Sequence, residues 1–567
     1  MKHPFSPLVL FLALLHAGHA HSKCRNVPGS AEFPTAAAWR VLNTTISGRL
    51  VLAVPSAKYC ASLPGGACTD AQWTSALFRA TIPGAMDQVN FEQDYDVAPP
   101  SLCFRNSTTC GQGNVPIYAV KADTVEDVQA AVKFASANNL RVVVKSSGHD
   151  YLGRSTAPNS LLIHMANLTD VVFTDAFVVG GENLGSAVTV GPGVPLRDIY
   201  QQTKAQGKIA VGGSAATVCA AGGYLQGAGH SAISPLLGLA ADNALEFEIV
   251  VASGALLKVN SVSNPDLFFA LRGGGAGSWG VIVSATLRTH PTFNVTSSII
   301  ELAASSNAAA AALAGVHTKH IFDLDAVRGG QYYYLESAGN NTSVLGLSTF
   351  TNTSLEQGTA ILTPFLDDAL AVPGVSLISK TFQQTLINDA LFQTDDVVGA
   401  NLVMGSRLVP TAAYQALDAP ATVEKVYREL LDSGPQGILG HLVAGGQVSD
   451  NVNISSAVNP AWRTAKTHVI LPYAWDDSAS LAEINTLRHE FQTSHLAILE
   501  QLSGPNAGSY SNEADMFEPN WKTTFYGPNY AKLSAIKQKY DPHDLFIVTS
   551  GVGSERWDAL GICTVDE

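Results

Sequence analysis

Basic residues are scarce here: 33 Lys and Arg stand against 47 Asp and Glu in 567 residues, a formal charge of −14. Nucleic-acid binding needs cationic patches that release counterions, so that class of partner is excluded. The acidic surplus serves solubility instead. Past the first twenty residues no apolar run is long enough to cross a bilayer. Cys-x-x-Cys is absent and no His/Cys group has zinc-ligand spacing, so no metal site is expected. There is no internal repeat.

What is present points outward from the cell. Met1 to Ala20 has a basic start (Lys2), an apolar stretch (Leu8 to Leu15) and a small-residue exit, the pattern of a secretory leader. Glycosylation sequons stand at Asn43, Asn106, Asn167, Asn294, Asn341, Asn352 and Asn453. Cys24, Cys60, Cys68, Cys103, Cys110 and Cys563 sit near the termini or in polar, Gly/Pro-rich surroundings that suit disulfides. Cys60–Cys68 and Cys103–Cys110 would close short loops, although connectivity stays open at this level. Cys219 is the odd one, inside an apolar glycine-rich run. A secreted, extracellular monomer is expected.

With 46% hydrophobic content the chain can fill two lobes. A loop-rich N-terminal section spans 21–112. Regular structure starts with a strand at Ile117 to Val120. Next comes a helix opened by Thr124-Val125-Glu126-Asp127 with Val125, Val128, Val132 and Ala135 at helical spacing, then a strand ending at Lys145. That β–α–β order followed by Gly and Ser suits an α+β cofactor domain over 113–296. Ala187 to Val190 reads as a strand and Pro195 to Gly207 as a helix. Ala303 to Gly315 reads as an exposed alanine-rich helix. Gly330 to Leu335 and His468 to Leu471 read as strands of a second sheet, giving a substrate domain over 297–505. Residues 506–567 return to the first domain, which is therefore discontinuous.

The most informative segment is Lys145-Ser146-Ser147-Gly148-His149-Asp150-Tyr151, with Ser155 beyond it. It follows a buried strand, and its small residues let a ligand touch backbone. Gly148 can take positive φ, and the amides of Ser146 to His149 can converge on a phosphate. This loop resembles the pyrophosphate loop of the vanillyl-alcohol-oxidase/PCMH type of FAD-binding domain, and more closely its berberine-bridge-enzyme-like branch. The resemblance implies FAD joined through its 8α carbon to His149, with Lys145, Ser146, Ser147, Gly148, Asp150 and Ser155 around it. The plain alternative for His149 is a histidine capping a strand–loop junction.

Three further stretches carry the resemblance. Gly212 to Asn243 is dense in glycine, and its pattern implies cofactor contacts from Gly213, Thr217, Cys219, Gly222, Gly223, Gly227, Gly229, His230 and Asp242. Relatives of this branch often attach the flavin a second time through a cysteine six residues before the Gly-Gly pair. Here that place is Ala216, so a single attachment is expected. Cys219, three residues on, falls where a small or branched residue helps to set oxygen access. It reads equally as an inert core thiol. Asp266 to Val283 contains Gly275-x-Gly277-x-x-Gly280, which matches a dinucleotide fingerprint only in letters. A helix end precedes it and a strand follows, the inverse of what that fingerprint needs, so a nicotinamide site is rejected. In the family this stretch passes close to the flavin, implying contacts from Gly280, Val281 and Ile282. Finally, Trp521 to Phe546 resembles the closing berberine-like element and places Asn529 near the ring. Together with Gly553-Ser554-Glu555-x-Trp557, the chain is most similar to fungal isoamyl alcohol oxidase-like proteins.

Oxidising an alcohol on a flavin requires an oriented C–H bond, a base for the O–H proton and a route for oxygen. Tyrosines serve as the base in relatives, and one needs a cationic or hydrogen-bonding partner to do so. Candidates are Tyr526, Tyr151, Tyr334 with its neighbour Tyr332, and Glu513 with Asp515. For each alone, packing is the competing role. The expected protein is a secreted FAD-dependent oxidase turning an alcohol into an aldehyde or ketone and O2 into H2O2. The alternatives are an oligosaccharide oxidase, an oxidative cyclase of secondary metabolism, or a secreted non-catalytic binding protein of the same fold.

Overall fold

Three sheets organise the chain, and the first is a short βαβ unit. The computed structural model describes residues 24–565 except 108, 392–397 and 435. The expected leader lies outside the described residues. Strand β1 (Leu50–Leu52) pairs antiparallel with β2 (Tyr118–Lys121), and β2, β3 (Arg141–Lys145) and β4 (Ser160–His164) run parallel in the order β1-β2-β4-β3. Helix α1 (Val125–Ala137) crosses between β2 and β3. Thr124 accepts the Asp127 amide and the Asp127 side chain returns the bond, which fixes where the helix begins. Val128, Ala131, Val132 and Ala135 are its buried face.

A second, antiparallel sheet follows. Its strands are β5 (Val171–Thr174), β6 (Ala187–Val190), β7 (Lys208–Ala210), β8 (Ala244–Val250), β9 (Leu256–Asn260) and β10 (Val281–Pro291). The order is β9-β8-β10-β6-β5, with β7 paired to β10. Helix α2 (Leu196–Ala205) packs against β7, and α3 (Pro265–Leu271) lies before the third glycine-rich turn. Around Gly275 to Gly280 the helix therefore precedes and the strand follows, as the nicotinamide argument required.

The third sheet has seven strands: β11 (Asn294–Ala304), β12 (Gly330–Gly339), β13 (Thr342–Thr351), β14 (Val375–Leu386), β15 (Asn401–Pro410), β16 (Gly437–Leu442) and β17 (Ala465–Trp475), in the order β14-β11-β13-β12-β16-β17-β15. Alternation divides its faces. Tyr333, Leu335, Ile438, Leu442, Val469 and Leu471 join the core under helices α4 (Asn307–Lys319), α5 (Leu355–Leu370), α6 (Ala419–Ser433) and α7 (Leu496–Ser503). Tyr332 belongs to the opposite core, against the cofactor-side residues Leu225, Ala240 and Tyr510. The antiparallel sheet is thus helix-covered on one face and docked on the first body by the other.

One expectation changes. The alanine-rich helix runs Asn307–Lys319 and is largely buried, while Ala303 and Ala304 finish β11. Its small side chains let α4 lie close to α6. A Cβ at Gly315 would stand 3.0 Å from the Pro420 carbonyl. Composition alone suggested solvent; the small residues instead serve helix–helix contact.

Disulfides Cys60–Cys68 and Cys103–Cys110 close the two short loops, and Cys24–Cys563 joins residues 539 apart. The C-terminal element, α8 (Trp521–Tyr526) and α9 (Tyr530–Tyr540), is anchored through Lys537. Its ammonium is fully buried and donates to Asp541 at 2.5 Å, to the Ser278 carbonyl at 2.8 Å and to the Phe546 carbonyl at 2.6 Å.

Asp242 and Arg463 join the two bodies: the guanidinium donates to Asp242 Oδ1 at 2.7 Å and Oδ2 at 2.9 Å. Both side chains are buried, and Asp242 also accepts from the Leu239 amide and from Asn451. Removing one partner of such a pair strands a charge. Arg463→Ala is expected to cost about 3–5 kcal/mol, read as a marked fall in the thermal unfolding midpoint. A midpoint equal to wild type would contradict the role of this pair.

Candidate functional site

The loop after β3 is held by one carboxylate. Asp150 Oδ2 accepts the Ser155 amide at 2.7 Å and the Ser155 hydroxyl at 3.0 Å, while Oδ1 accepts the Leu152 amide at 3.3 Å and Arg154 Nε at 3.0 Å. Arg154 reaches on to Asn512 Oδ1 at 2.9 Å, and Asn512 Nδ2 donates to the Gly223 carbonyl at 2.9 Å. Loop, glycine-rich segment and C-terminal element are thereby one connected frame. Among the described residues, the amides of Ser146, Ser147 and Gly148 have no protein acceptor, yet all three residues line a cleft of about 180 Å³.

That cleft gathers most of the residues singled out in the sequence. Ser146, Ser147, Gly148, His149, Asp150, Tyr151, Ser155, Cys219, Gly222, Gly223, Gly280, Ile282 and Glu513 all border it. Gly148 has φ +112° and Gly280 φ +142°, where a side chain is strained. A Cβ at Gly222 would stand 3.3 Å from Ser146 Oγ, narrowing the gap between the two walls. Unpaired amides on one wall and bare backbone on the other fit a flat ring system carrying a diphosphate, so FAD fits the residues present.

His149 is buried at the cleft edge between two partners. Its Nδ1 lies 3.2 Å from Asp87 Oδ2 and its Nε2 2.7 Å from Thr217 Oγ1. Asp87 is 1% exposed, and neither carboxylate oxygen has a hydrogen bond of good geometry. Its amide donates to the Gly148 carbonyl at 3.3 Å, so it tracks the loop. An acceptor beside one ring nitrogen sets the tautomer and the ring's orientation. Asp87 belongs to no motif, and nothing in its local sequence marks it.

Other expected residues stand behind the lining. Lys145 donates to the Ile82 and Ala85 carbonyls at 2.7 and 2.5 Å, and burial pulls its ammonium down to about 7. Val281 is core. Gly213 accepts the Tyr200 hydroxyl at 2.6 Å, and Gly227 packs against Asn512. Gly229 takes φ +71° beside Tyr224. Asp242 is held by Arg463, as above. Asn529 donates to the Ala457 and Val458 carbonyls at 3.2 and 3.3 Å. Tyr526 donates to the Ser550 carbonyl at 2.9 Å, and burial pushes its hydroxyl well above the usual range. Asp515 is raised to about 6 by burial. Of the proton-acceptor candidates Tyr151, Glu513, Tyr526 and Tyr334, the first two line the cleft and the last two do not.

Cys219 is buried and unpaired, and burial pushes its thiol up to about 12. It is therefore a neutral, small cleft-lining group.

Glu513 separates the cleft from a group of histidines. His230, His441 and His468 surround it, brought together from the glycine-rich stretch and two paired strands of the third sheet. Tyr332, Trp462 and Tyr510 pack around these rings. Local spacing in the sequence could not reveal this set, because the fold alone assembles it.

Known proteins agree with this geometry. A family model described as FAD binding domain matches residues 116–260, and one described as berberine and berberine like matches 509–553. An uncharacterized FAD-linked oxidoreductase of Arthroderma benhamiae is 34% identical over 98% of this chain and 98% of its own length. The VAO-type flavoprotein oxidase VAO615 of Thermothelomyces thermophilus is 34% identical over 97% of this chain and 98% of its own. The crystal structure of VAO-type flavoprotein MtVAO615 from Myceliophthora thermophila C1 superposes with a TM-score of 0.85 at 30% identity, covering 96% of this chain and 100% of that one. A cleft of unpaired amides, a glycine wall and a berberine-like closing element on a chain so similar throughout its length establish that this protein belongs to the VAO-type, berberine-like family of FAD-linked oxidoreductases.

Proposed function

We propose that the protein is a secreted oxidase that carries FAD covalently through His149 and converts an alcohol into an aldehyde or ketone while reducing O2 to H2O2. Residues 113–296 and 506–567 hold the cofactor, and 297–505 supply the substrate-facing sheet. The observation that carries this reading is His149 itself, buried at the cleft edge with Asp87 at one ring nitrogen and Thr217 at the other. The flavin, when bound, accepts two electrons from the substrate and passes them to oxygen.

The chain's own residues supply position and polarity. The amides of Ser146 to Gly148 meet the diphosphate, Gly222 and Gly223 leave room for the ring, and the Asp150–Arg154–Asn512 chain holds these walls in register. Glu513 and Tyr151 face the open space and accept a hydrogen bond from a substrate hydroxyl. Ala216 removes the second attachment, and the protonated Cys219 thiol leaves a small surface for oxygen to pass. Exposed sequon asparagines at 106, 167, 294, 341, 352 and 453, with three disulfides, support secretion.

A second reading has its own observation. A cavity of about 460 Å³ shares Val548 with the cleft and is lined by Asp94, Tyr95, Asp96, Phe517 and Trp557. Acidic and aromatic walls of this kind suit a sugar, which favours an oligosaccharide oxidase over a simple alcohol oxidase. A peroxide-coupled screen of alcohols, sugars and amines on the purified yellow protein separates the two: turnover of small alcohols supports the first, turnover of oligosaccharides alone the second.

Two variants test the tether and the oxygen path. Wild type should keep its flavin through SDS denaturation, whereas His149→Ala should release it; release from wild type would refute the covalent link. Cys219→Ile should slow reoxidation by O2 roughly tenfold, a barrier rise of about 1.4 kcal/mol, with substrate reduction little changed. Equal effects on both half-reactions in stopped flow would remove Cys219 from the oxygen route.

A further inference from the structure

We propose that His230, His441, His468 and Glu513 form a binding site for one first-row divalent transition-metal ion, of which zinc is the type. Four separate segments meet there: the Gly212 to Asn243 stretch, β16, β17 and the C-terminal element. His441 and His468 are direct cross-strand partners, so their rings project from the same face of the third sheet. The ligand atoms of all four residues lie within 4.8 Å of one another.

The distances are those of a cation's coordination shell. Zinc–ligand bonds of about 2.0–2.1 Å in a tetrahedron put neighbouring ligand atoms about 3.3 Å apart and histidine ring centres about 5 Å apart. Glu513 Oε2 lies 3.2 Å from His230 Nε2 and 3.4 Å from His468 Nδ1. The ring centres of His230 and His441 are 5.1 Å apart, and each stands 5.7 Å from that of His468.

Unmet bonding capacity points the same way. His230 Nδ1 and both nitrogens of His441 and His468 are buried without a hydrogen-bond partner, in rings only 5%, 5% and 0% exposed. Burying such groups unpaired is unfavourable, and a cation relieves part of it by taking one lone pair from each ring. Three imidazoles with one carboxylate select zinc, cobalt, iron, nickel or copper over calcium or magnesium, which prefer oxygen shells.

The ion would be a staple between the two bodies. His230 and Glu513 come from the cofactor side, His441 and His468 from the sheet, and Glu513 also borders the cleft. This inference does not rest on the flavin chemistry, and flavin content is read on the same samples by absorbance.

The test uses the purified full-length flavoprotein. Elemental analysis after dialysis should find about one zinc-class ion per chain. Chelator-treated protein should rebind one equivalent from zinc chloride, with a rise in unfolding midpoint. Cobalt chloride should give visible bands of tetrahedral intensity beyond the flavin absorbance. His441→Ala and Glu513→Gln should each lose zinc affinity by more than the roughly 10–100-fold that loss of an outer partner costs. If His441→Ala fails to fold, wild-type stoichiometry and the isosteric Glu513→Gln variant still decide. Wild type that neither retains nor rebinds zinc or cobalt, or variants that bind zinc as wild type does, would overturn the site.

Discussion

The cofactor cleft depends on Asp150. A strand that ends in a buried interior ordinarily turns by bonding its own amides, and here a side chain assumes that task. By accepting two amides, a hydroxyl and a guanidinium, Asp150 closes the turn from Tyr151 to Ser155. The preceding amides of Ser146, Ser147 and Gly148 are left without a protein acceptor in residues that line the cleft. The same guanidinium passes the constraint to Asn512, and through it to Gly223 on the opposite wall. One buried carboxylate therefore sets both the donors on one wall and the spacing to the other.

Around this frame the chemistry is divided between the two bodies. The cofactor side supplies His149, the bare glycine surface and Cys219. The seven-stranded sheet turns Tyr332, Tyr334, His441 and His468 toward it, while its other face is sealed by four helices. Period-2 alternation makes this possible: Tyr333 and Leu335 enter the helix-covered core, and their neighbours Tyr332 and Tyr334 approach the cofactor body. Glu513 sits where these halves meet, open to the cleft on one side and to three imidazoles on the other.

Much of the fold and one wall of the site were legible because their signals are local. The Thr124 capping box, the strand ending at Lys145, the helix–turn–strand order around Gly275 to Gly280 and the short disulfide loops each occupy a few consecutive residues. Asp87, Asn512 and the histidine group were not legible, since their meaning arises only from contacts that the fold makes between separate segments. The closing element shows a different limit. Within it, Lys537 and Asp541 form a buried brace under Ser278 instead of touching the cleft. Asn529 and Tyr526 likewise hold backbone. The alanine-rich run misled for a related reason: small residues suit solvent and close helix packing equally, and only the partner helix decides.

Everything chemical rests on the imidazole of His149, positioned by Asp87 and Thr217 at the edge of the cleft. The most direct measurement is peptide mass spectrometry of the proteolysed, native yellow protein. The peptide containing His149 should carry the added mass of one FAD, with fragmentation placing it on that histidine and leaving the Cys219 peptide unmodified. An unmodified His149 peptide recovered from flavin-loaded protein would contradict the tether.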